Sequence, residues 1–513
     1  MALNTGSRTI NATKNAAVSL INKLCILVLT FISRKFFIQY IGVEYLGING
    51  LFANVLTLLS LADLGLGTAM NVSLYKPIAE NDTKKLAALL SYFRTIYYFV
   101  AAGVTVVGLG LIPFLKYIVN LDKDIPHIYL YYSMFVIKNA VSYLFVYKSA
   151  IIRADQRNYV VNRIDIYVNI AKVVLQCIVI VAFKMYFLYL LLEVLCVLAH
   201  NLVVSHIANR DYPFIKNREE LSKSEKKGIF SDISSVFLYK IAWSLINGTD
   251  NILMSVIVGT IYVGMYSNYS ALTRNTEMFV ALMFTSLTAS IGNLVATSSP
   301  ERRYKTFQSM QMVSFWLCGI ITVCLFFLTQ DFIQLWFGKE LLLDNLVLTA
   351  IVLNSFFSNC MRPVWSFREG TGMYKQIRFI MFATAILNLI LSIVLGKLLG
   401  LSGILFATSI SKFLTYFWYE PNILFKNFFK VSPSKYYMGY VTNAVVLLII
   451  VIVCFIPISF LKEVTVMNWI IKAVICFVVI NVVYYIRYRN TEEFDNIKKK
   501  VRVIFDGLPR RKK

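Results

Sequence analysis

Residues 41–48 read Ile-Gly-Val-Glu-Tyr-Leu-Gly-Ile, and residues 258–265 read Val-Gly-Thr-Ile-Tyr-Val-Gly-Met. A shift of 217 residues lays Gly42 on Gly259, Tyr45 on Tyr262 and Gly47 on Gly264. The same shift lays Lys23 on Lys240, each about one span upstream of its glycine turn. Two glycines, an aromatic and a lysine kept in phase mark a duplication, and a repeat decides the architecture before any local reading does. A weaker echo lies at a shift of 215, where residues 153–159 (RADQRNY) and 368–374 (REGTGMY) begin and end with the same residues.

Composition sets the class. With 58% apolar and 15% charged residues over 513 positions, and apolar runs of about 18 residues or more recurring throughout, the chain reads as a set of membrane-spanning helices. The net charge of +24 follows from Lys and Arg gathered in the loops of a membrane protein, and no nucleic-acid partner is expected. All eight cysteines sit inside apolar runs without C-x-x-C spacing, so they read as small core residues, not disulfides or metal ligands. The stretch before residue 18 lacks the ordered basic, apolar and cleavage regions of a signal peptide, so the first span is expected to be retained.

Fourteen spans are expected, near 15–38, 45–75, 88–114, 127–152, 160–183, 186–208, 230–257, 262–296, 307–329, 343–366, 376–399, 401–425, 437–461 and 468–487. The second and eighth are long, and the glycines of residues 63–67 (DLGLG) mark a break in the second. With the N-terminus in the cytoplasm, inner loops hold roughly 21 basic residues and outer loops roughly eight, which fixes both termini inside. The charged loop near 209–228 separates two halves of six spans, and an even number makes the repeat parallel. The expected fold is therefore all-α and polytopic, with about 14 transmembrane helices. It divides into bundles at 1–216 and 217–425, and residues 426–513 add two helices and a basic tail.

Enzyme constellations are missing. The chain has no G-x-x-x-x-G-K-[ST] phosphate loop and only three histidines, without metal-ligand spacing. What remains is ionisable residues inside apolar helices, each costing about 2.5–3.5 kcal/mol at mid-membrane and so directed toward protein or water. Lys240, Ser244, Asn247 and Asn251 share one helical face, as do Lys23, Thr30 and Arg34 at the first copy. Two related helices each carry a polar stripe with a cation, which predicts a hydrated basic cavity between the halves. Arg274 and Glu277 share a face of the eighth span with Ser267 and Ser270, either lining that cavity or forming an ion pair. Arg94 and Lys138 are further span cations; Lys148, Arg362 and Lys412 either join them or snorkel to the membrane surface. Asp63, Asp250 and Glu277 are the candidates for a coupling H+ or Na+, because protonation removes a carboxylate's desolvation penalty. No other cofactor is expected.

A basic lumen calls for an anionic cargo. The membrane potential, negative inside, drives anions outward by about 2.3 kcal/mol per charge per 100 mV, or about 4–5 kcal/mol for a diphosphate. Outward movement of a lipid-linked diphosphate then needs no nucleotide site.

The residues that carry a family resemblance are 42–51 (GVEYLGINGL), 63–69 (DLGLGTA), 249–255 (TDNILMS) and 263–267 (VGMYS). With the span plan, they resemble the superfamily of multidrug/oligosaccharidyl-lipid/polysaccharide exporters, in its branch of bacterial polysaccharide repeat-unit flippases. The resemblance implies a V-shaped, alternating-access bundle in the bacterial cytoplasmic membrane. Its implied cargo is an undecaprenyl-diphosphate-linked oligosaccharide for O-antigen, capsule or exopolysaccharide. Implied partners are that cargo, membrane lipids, and polysaccharide polymerase and chain-length proteins. Lumen cations meeting the cargo would correspond to Lys23, Lys240 and Arg274. The alternatives are a multidrug antiporter, which would want more lumen carboxylates, a peptidoglycan lipid-precursor flippase, and a membrane polysaccharide polymerase. The last needs a large outer catalytic loop, whereas the outer loops here are about 5–15 residues long.

Overall fold

The structure, a computed structural model, describes residues 8–60, 66–120, 125–217, 219–285, 298–371 and 373–506, with residues 291, 294 and 295 besides. Helices run where the spans are expected, and no strand occurs among the described residues. In order they are α1 (Arg8–Tyr40), α2 (Val43–Leu59), α3 (Leu66–Ala79), α4 (Thr83–Gly110), α5 (Ile128–Tyr143), α6 (Val146–Ala154), α7 (Asn158–Phe183), α8 (Tyr186–Asp211), α9 (Lys223–Gly248), α10 (Asp250–Ile257), α11 (Thr260–Thr285), α12 (Pro300–Phe337), α13 (Asn345–Cys360), α14 (Arg362–Thr371), α15 (Tyr374–Leu414), α16 (Tyr416–Leu424), α17 (Ser434–Ser459), α18 (Val466–Tyr488) and α19 (Glu492–Asp506). Seven helical stretches are by themselves long and apolar enough to cross a bilayer, and α5 with α6, bent by 43°, make an eighth. Others are split into shorter pieces, such as α2 with α3. The break expected at 63–67 falls largely on residues outside the described ones.

Caps explain several helix starts. Ser222 and Glu225 form a reciprocal capping box before α9, Ser299 with Pro300 opens α12, and Thr465 caps α18. Each satisfies backbone N–H groups that a helix start leaves unpaired.

The chain divides into two compact units, residues 1–264 and 265–513. The duplicated turn lies in the first. Gly42 and Gly259 both take positive φ, 113° and 135°, a backbone that glycine alone adopts without strain, and each immediately precedes a helix, α2 and α11. Five residues on, the copies touch. A Cβ on Gly47 would stand 2.2 Å from the Thr260 carbonyl oxygen, and one on Gly264 would stand 2.3 Å from the Val43 carbonyl oxygen. Val43 and Thr260 are themselves related by the 217 shift, so the contact is reciprocal. Around it, Phe37, Ile48, Leu51, Phe52, Tyr132 and Val136 form a buried core.

The order of elements recurs. In the first unit α7 and α8 form a hairpin, tied by Gln176 Nε2 to the Tyr189 carbonyl at 3.2 Å and by His200 to Asp165 at 2.9 Å. In the second unit α15 folds back on itself at Gly400 (φ 61°, ψ −137°), tied by Thr384 to Thr415 at 2.7 Å and Asn388 to Thr408 at 3.2 Å. The consecutive helices α13 and α14 stand at the positions of α5 and α6 shifted by 215–217 residues.

Four of the eight cysteines, Cys318, Cys360, Cys454 and Cys476, are buried free thiols, and the other four are half-buried.

Because the Gly47–Gly264 approach leaves no room for a methyl group, Gly47→Ala and Gly264→Ala are each expected to destabilise by about 1–3 kcal/mol, the usual range for overpacking. Thermal unfolding of the purified protein should show a lowered midpoint for both. Gly103→Ala, with open space around its Cβ position, should leave the midpoint within a degree or two.

Candidate functional site

The polar face of α1 lies against α7, and among the described residues the cavities on it are lined by the first half alone, where the sequence reading expects a cavity between the halves. Asn15 Nδ2 donates to the Gln156 carbonyl at 2.7 Å and Asn15 Oδ1 accepts from the Tyr159 N–H at 2.7 Å. These bonds pin the turn of residues 153–159, in which Gln156 is left-handed (φ 58°). The turn is braced from its other side. Arg157 pairs with Asp211 at 2.8 Å, and the Tyr212 hydroxyl donates to Asp155 at 2.6 Å. Burial holds the Asp155 carboxyl above the usual carboxylate range, and the Tyr212 bond and Arg157 draw it partly back.

This turn presents Arg153 and Asn158 to α1. Together with Ser19, Asn22, Lys23, Ile26 and Asn162 they line a cavity of about 500 Å³. Lys23 is half-buried. Asn162 Nδ2 donates to Ser19 Oγ at 2.6 Å, while Asn22 Oδ1 is buried and accepts no hydrogen bond among the described residues. Two cations, three amides and a hydroxyl converge here, and among the described residues no carboxylate lines the cavity.

One turn further along α1, sharing Ile26, a second cavity of about 170 Å³ is lined by Thr30, Ser33, Arg34, Asn169, Lys172, Gln176 and Glu193, among others. Glu193 pairs with Lys138 at 3.0 Å and faces Lys172. Among the described residues, the linings of these two cavities carry four cations, Lys23, Arg153, Arg34 and Lys172, and one carboxylate, Glu193, which Lys138 already partners.

Other expected site residues are placed as follows. Arg94 lies beside Tyr147 and Lys148, away from both cavities. Lys148 is buried and donates to Ser205 at 2.6 Å, so it does not snorkel. Lys240 and Asn247 belong to α9, but their side chains lie outside the described residues, as does all of Asp63. Asp250 is the first residue of α10 and is half-buried. The Asn251 amide lies against Gly50 of α2. In the second unit Arg274 Nε and a terminal guanidinium nitrogen donate to Ser270, at 3.2 Å to its carbonyl and 3.0 Å to its hydroxyl. Glu277 is faced by Arg362, Lys412, the Ser355 hydroxyl and Arg274. Lys412 is buried; it does not snorkel either.

The duplication sharpens the meaning of Arg153. Its counterpart at a shift of 215, Arg368, is 6% exposed and pairs at 2.7 Å with Glu420, which is 1% exposed. The position equivalent to Glu420 in the first copy is Ser205. One copy has a buried ion pair; the other has an arginine turned to a cavity and a serine bonded to Lys148. Sequence reading noted the 153–159 echo without assigning Arg153 a role, and it missed Lys172, Asn158 and Asn162.

Fold and site together define a polytopic α-helical membrane protein with a cationic polar seam. Several solved structures share its fold. The lipid II flippase MurJ in an inward closed conformation is similar with a TM-score of 0.68 at 13% identity, over 93% of this chain and 99% of that one. An inward-facing multidrug resistance MATE transporter of the MOP superfamily is similar with a TM-score of 0.61 at 14% identity, over 79% of this chain and 97% of that one. An outward-facing MATE transporter gives 0.54 at 13% identity, over 80% and 95%. At these identities the likeness is one of fold. No protein-family model and no curated protein sequence matches the chain.

Removing one partner of a buried pair leaves an uncompensated charge, at a cost of about 3–5 kcal/mol. Glu420→Gln should therefore lower the unfolding midpoint sharply. Arg153→Gln, at an exposed arginine, should change stability by about 0.5 kcal/mol or less. Equal effects of the two would show that the copies have not diverged in this respect.

Proposed function

We propose that the chain is a flippase that moves undecaprenyl-diphosphate-linked oligosaccharide repeat units from the inner to the outer leaflet of the bacterial cytoplasmic membrane. The product serves capsule, O-antigen or exopolysaccharide synthesis. The observation that carries this reading is the carboxylate-free cavity where Lys23 and Arg153 meet three asparagines and a serine. Paired cations suit a diphosphate, and amides and a hydroxyl suit the hydroxyls of the first sugar. The excess of cations disfavours the cationic substrates of a multidrug antiporter. Both termini are cytoplasmic in this reading, and the duplicated bundles are 1–216 and 217–425, with 426–513 appended.

Glu277 carries the coupling. Its neighbours among the described residues are Arg362, Lys412, Arg274 and one hydroxyl, so it lacks the several oxygen ligands a sodium ion needs, whereas a proton binds the carboxylate alone; the ion exchanged there is a proton. A second reading, flipping of a peptidoglycan lipid precursor, is favoured by the likeness to the lipid II flippase. Both readings place a diphosphate at Lys23 and Arg153 and differ in the sugar beyond it.

Two outcomes test this. Lys23→Ala combined with Arg153→Ala should reduce surface polysaccharide at least about tenfold in a repeat-unit-flippase-deficient strain, while the variant stays folded in the membrane and lipid-linked saccharide accumulates inside. Full complementation would overturn the assignment, and rescue of a strain lacking its lipid II flippase would favour the second reading. Glu277→Gln should make transport insensitive to collapse of the proton gradient; unchanged dependence on that gradient, or dependence on sodium instead, would count against the coupling role.

A further inference from the structure

A third cavity, of about 340 Å³, lies in the second unit, among the start of α12, the start of α17, the end of α18 and the start of α19. In the span plan read from the sequence, these ends fall on one side of the bilayer. Six aromatic side chains line it, among them Tyr436 and Tyr488, and so do Lys435, Arg487, Gln311 and Glu493. Gln311 is 7% exposed, and its Nε2 donates to the Cys360 carbonyl at 3.2 Å. Its Oε1 is buried and accepts nothing among the described residues. A buried amide oxygen left without a donor costs free energy unless a ligand or water supplies one.

We infer that this crevice is a binding site for the headgroup of an aminophospholipid, of the phosphoethanolamine type. The polar groups are laid out for such a zwitterion. Lys435 is exposed at the start of α17 and takes part in none of the ion pairs among the described residues. With Arg487, whose guanidinium also lies over the Tyr488 ring at 5.3 Å, it supplies positive charge for the phosphodiester. Gln311 Oε1 and the Glu493 carboxylate supply acceptors for an ammonium, and the aromatic walls favour an organic cation over bulk water. A choline headgroup has no N–H to give Gln311. A glycerol headgroup places no positive charge beside Glu493. The lipid's acyl chains leave along the exposed apolar faces of α17 and α18, where Met438, Val441, Tyr485 and Ile486 are open. In the orientation proposed above, this is the cytoplasmic leaflet. The site involves none of the α1–α7 seam residues, so it stands or falls separately from the cargo assignment.

Lipid binding to the purified, delipidated full chain, measured by native mass spectrometry and by the shift in unfolding temperature, tests this. The probes are phosphatidylethanolamine, phosphatidylcholine and phosphatidylglycerol of identical acyl composition, and inorganic phosphate. Phosphatidylethanolamine should bind with one tight equivalent and raise the unfolding temperature. Lys435→Ala should weaken it about fivefold, the factor that one basic residue at a lipid surface contributes. Gln311→Leu should abolish the preference for ethanolamine over choline. Gly439→Leu is an independent check that removes no charge. A Cβ there would meet Phe315 only at 3.8 Å, so the larger side chain enters the crevice and should exclude the lipid while the protein elutes as a folded species. Equal binding of the three lipids, unchanged affinity in Lys435→Ala, or the same thermal shift from inorganic phosphate alone would each overturn the inference.

Discussion

Two helix starts in the first unit come so close that neither can carry a side chain at the point of contact. In a bilayer, helices gain little from burying apolar surface against each other, because lipid is as apolar as leucine; close backbone approach at small residues provides the attraction instead. Gly47 against the Thr260 carbonyl and Gly264 against the Val43 carbonyl do this reciprocally. The approach has an electrostatic cost, since both helices present their positive ends there. Glu44 in the first turn of α2 offsets part of it. The second copy is held from outside: Thr260 N–H donates to the Asn120 carbonyl at 2.6 Å and Thr260 Oγ1 accepts from the Asn120 N–H at 2.9 Å. Ser255 Oγ donates to the Ile118 carbonyl at 2.6 Å. The positive φ at Gly42 and Gly259 precedes both helix starts that meet there, so the repeated glycines follow from one packing requirement.

The same reasoning about cost sorts the charged residues. A cation inside a span must be paired, hydrated or turned to a ligand. The second unit pairs two of its buried cations, Arg368 with Glu420 and Lys472 with Asp331 at 2.6 Å, and sets three more around Glu277. The first unit pairs Lys138 with Glu193, but turns Lys23 and Arg153 toward a cavity with no carboxylate in its lining. The exchange of a carboxylate for a hydroxyl at the Glu420–Ser205 position separates an arginine that stabilises its fold from one left to meet solvent or cargo.

What the sequence discloses and what it withholds divide along a physical line. The glycine turn was legible because positive φ and side-chain-free contact admit one residue type, so duplication preserved it. The polar face of α1 was legible because Lys23, Thr30 and Arg34 recur at helical spacing within an otherwise apolar run. Arg153, Asn158, Asn162 and Lys172 were not, because their role depends on which neighbour packs on α1, and helical periodicity shows a face without naming its partner. Glu277 showed its own face but not its company: Arg362 and Lys412 arrive from helices about 85 and 135 residues further on. Hydropathy located the spans yet could not show that α5 and α6 bend by 43°, since the bend leaves composition unchanged.

The size of the seam bears on how such a protein would treat its cargo. A cavity of about 500 Å³ falls within the range of small-molecule sites, roughly 300–1,000 Å³. It can hold a diphosphate and a sugar next to it, but not a whole oligosaccharide. On the proposed function, the cations and amides that line it would engage the part of the cargo that every repeat unit shares, leaving the distal sugars outside their reach. Discrimination is a difference of affinities, and groups that do not touch the variable sugars contribute nothing to it. On the proposed function, this seam therefore recognises a lipid-diphosphate-sugar junction, and any selectivity for one polysaccharide over another has to arise from residues elsewhere along the transport path.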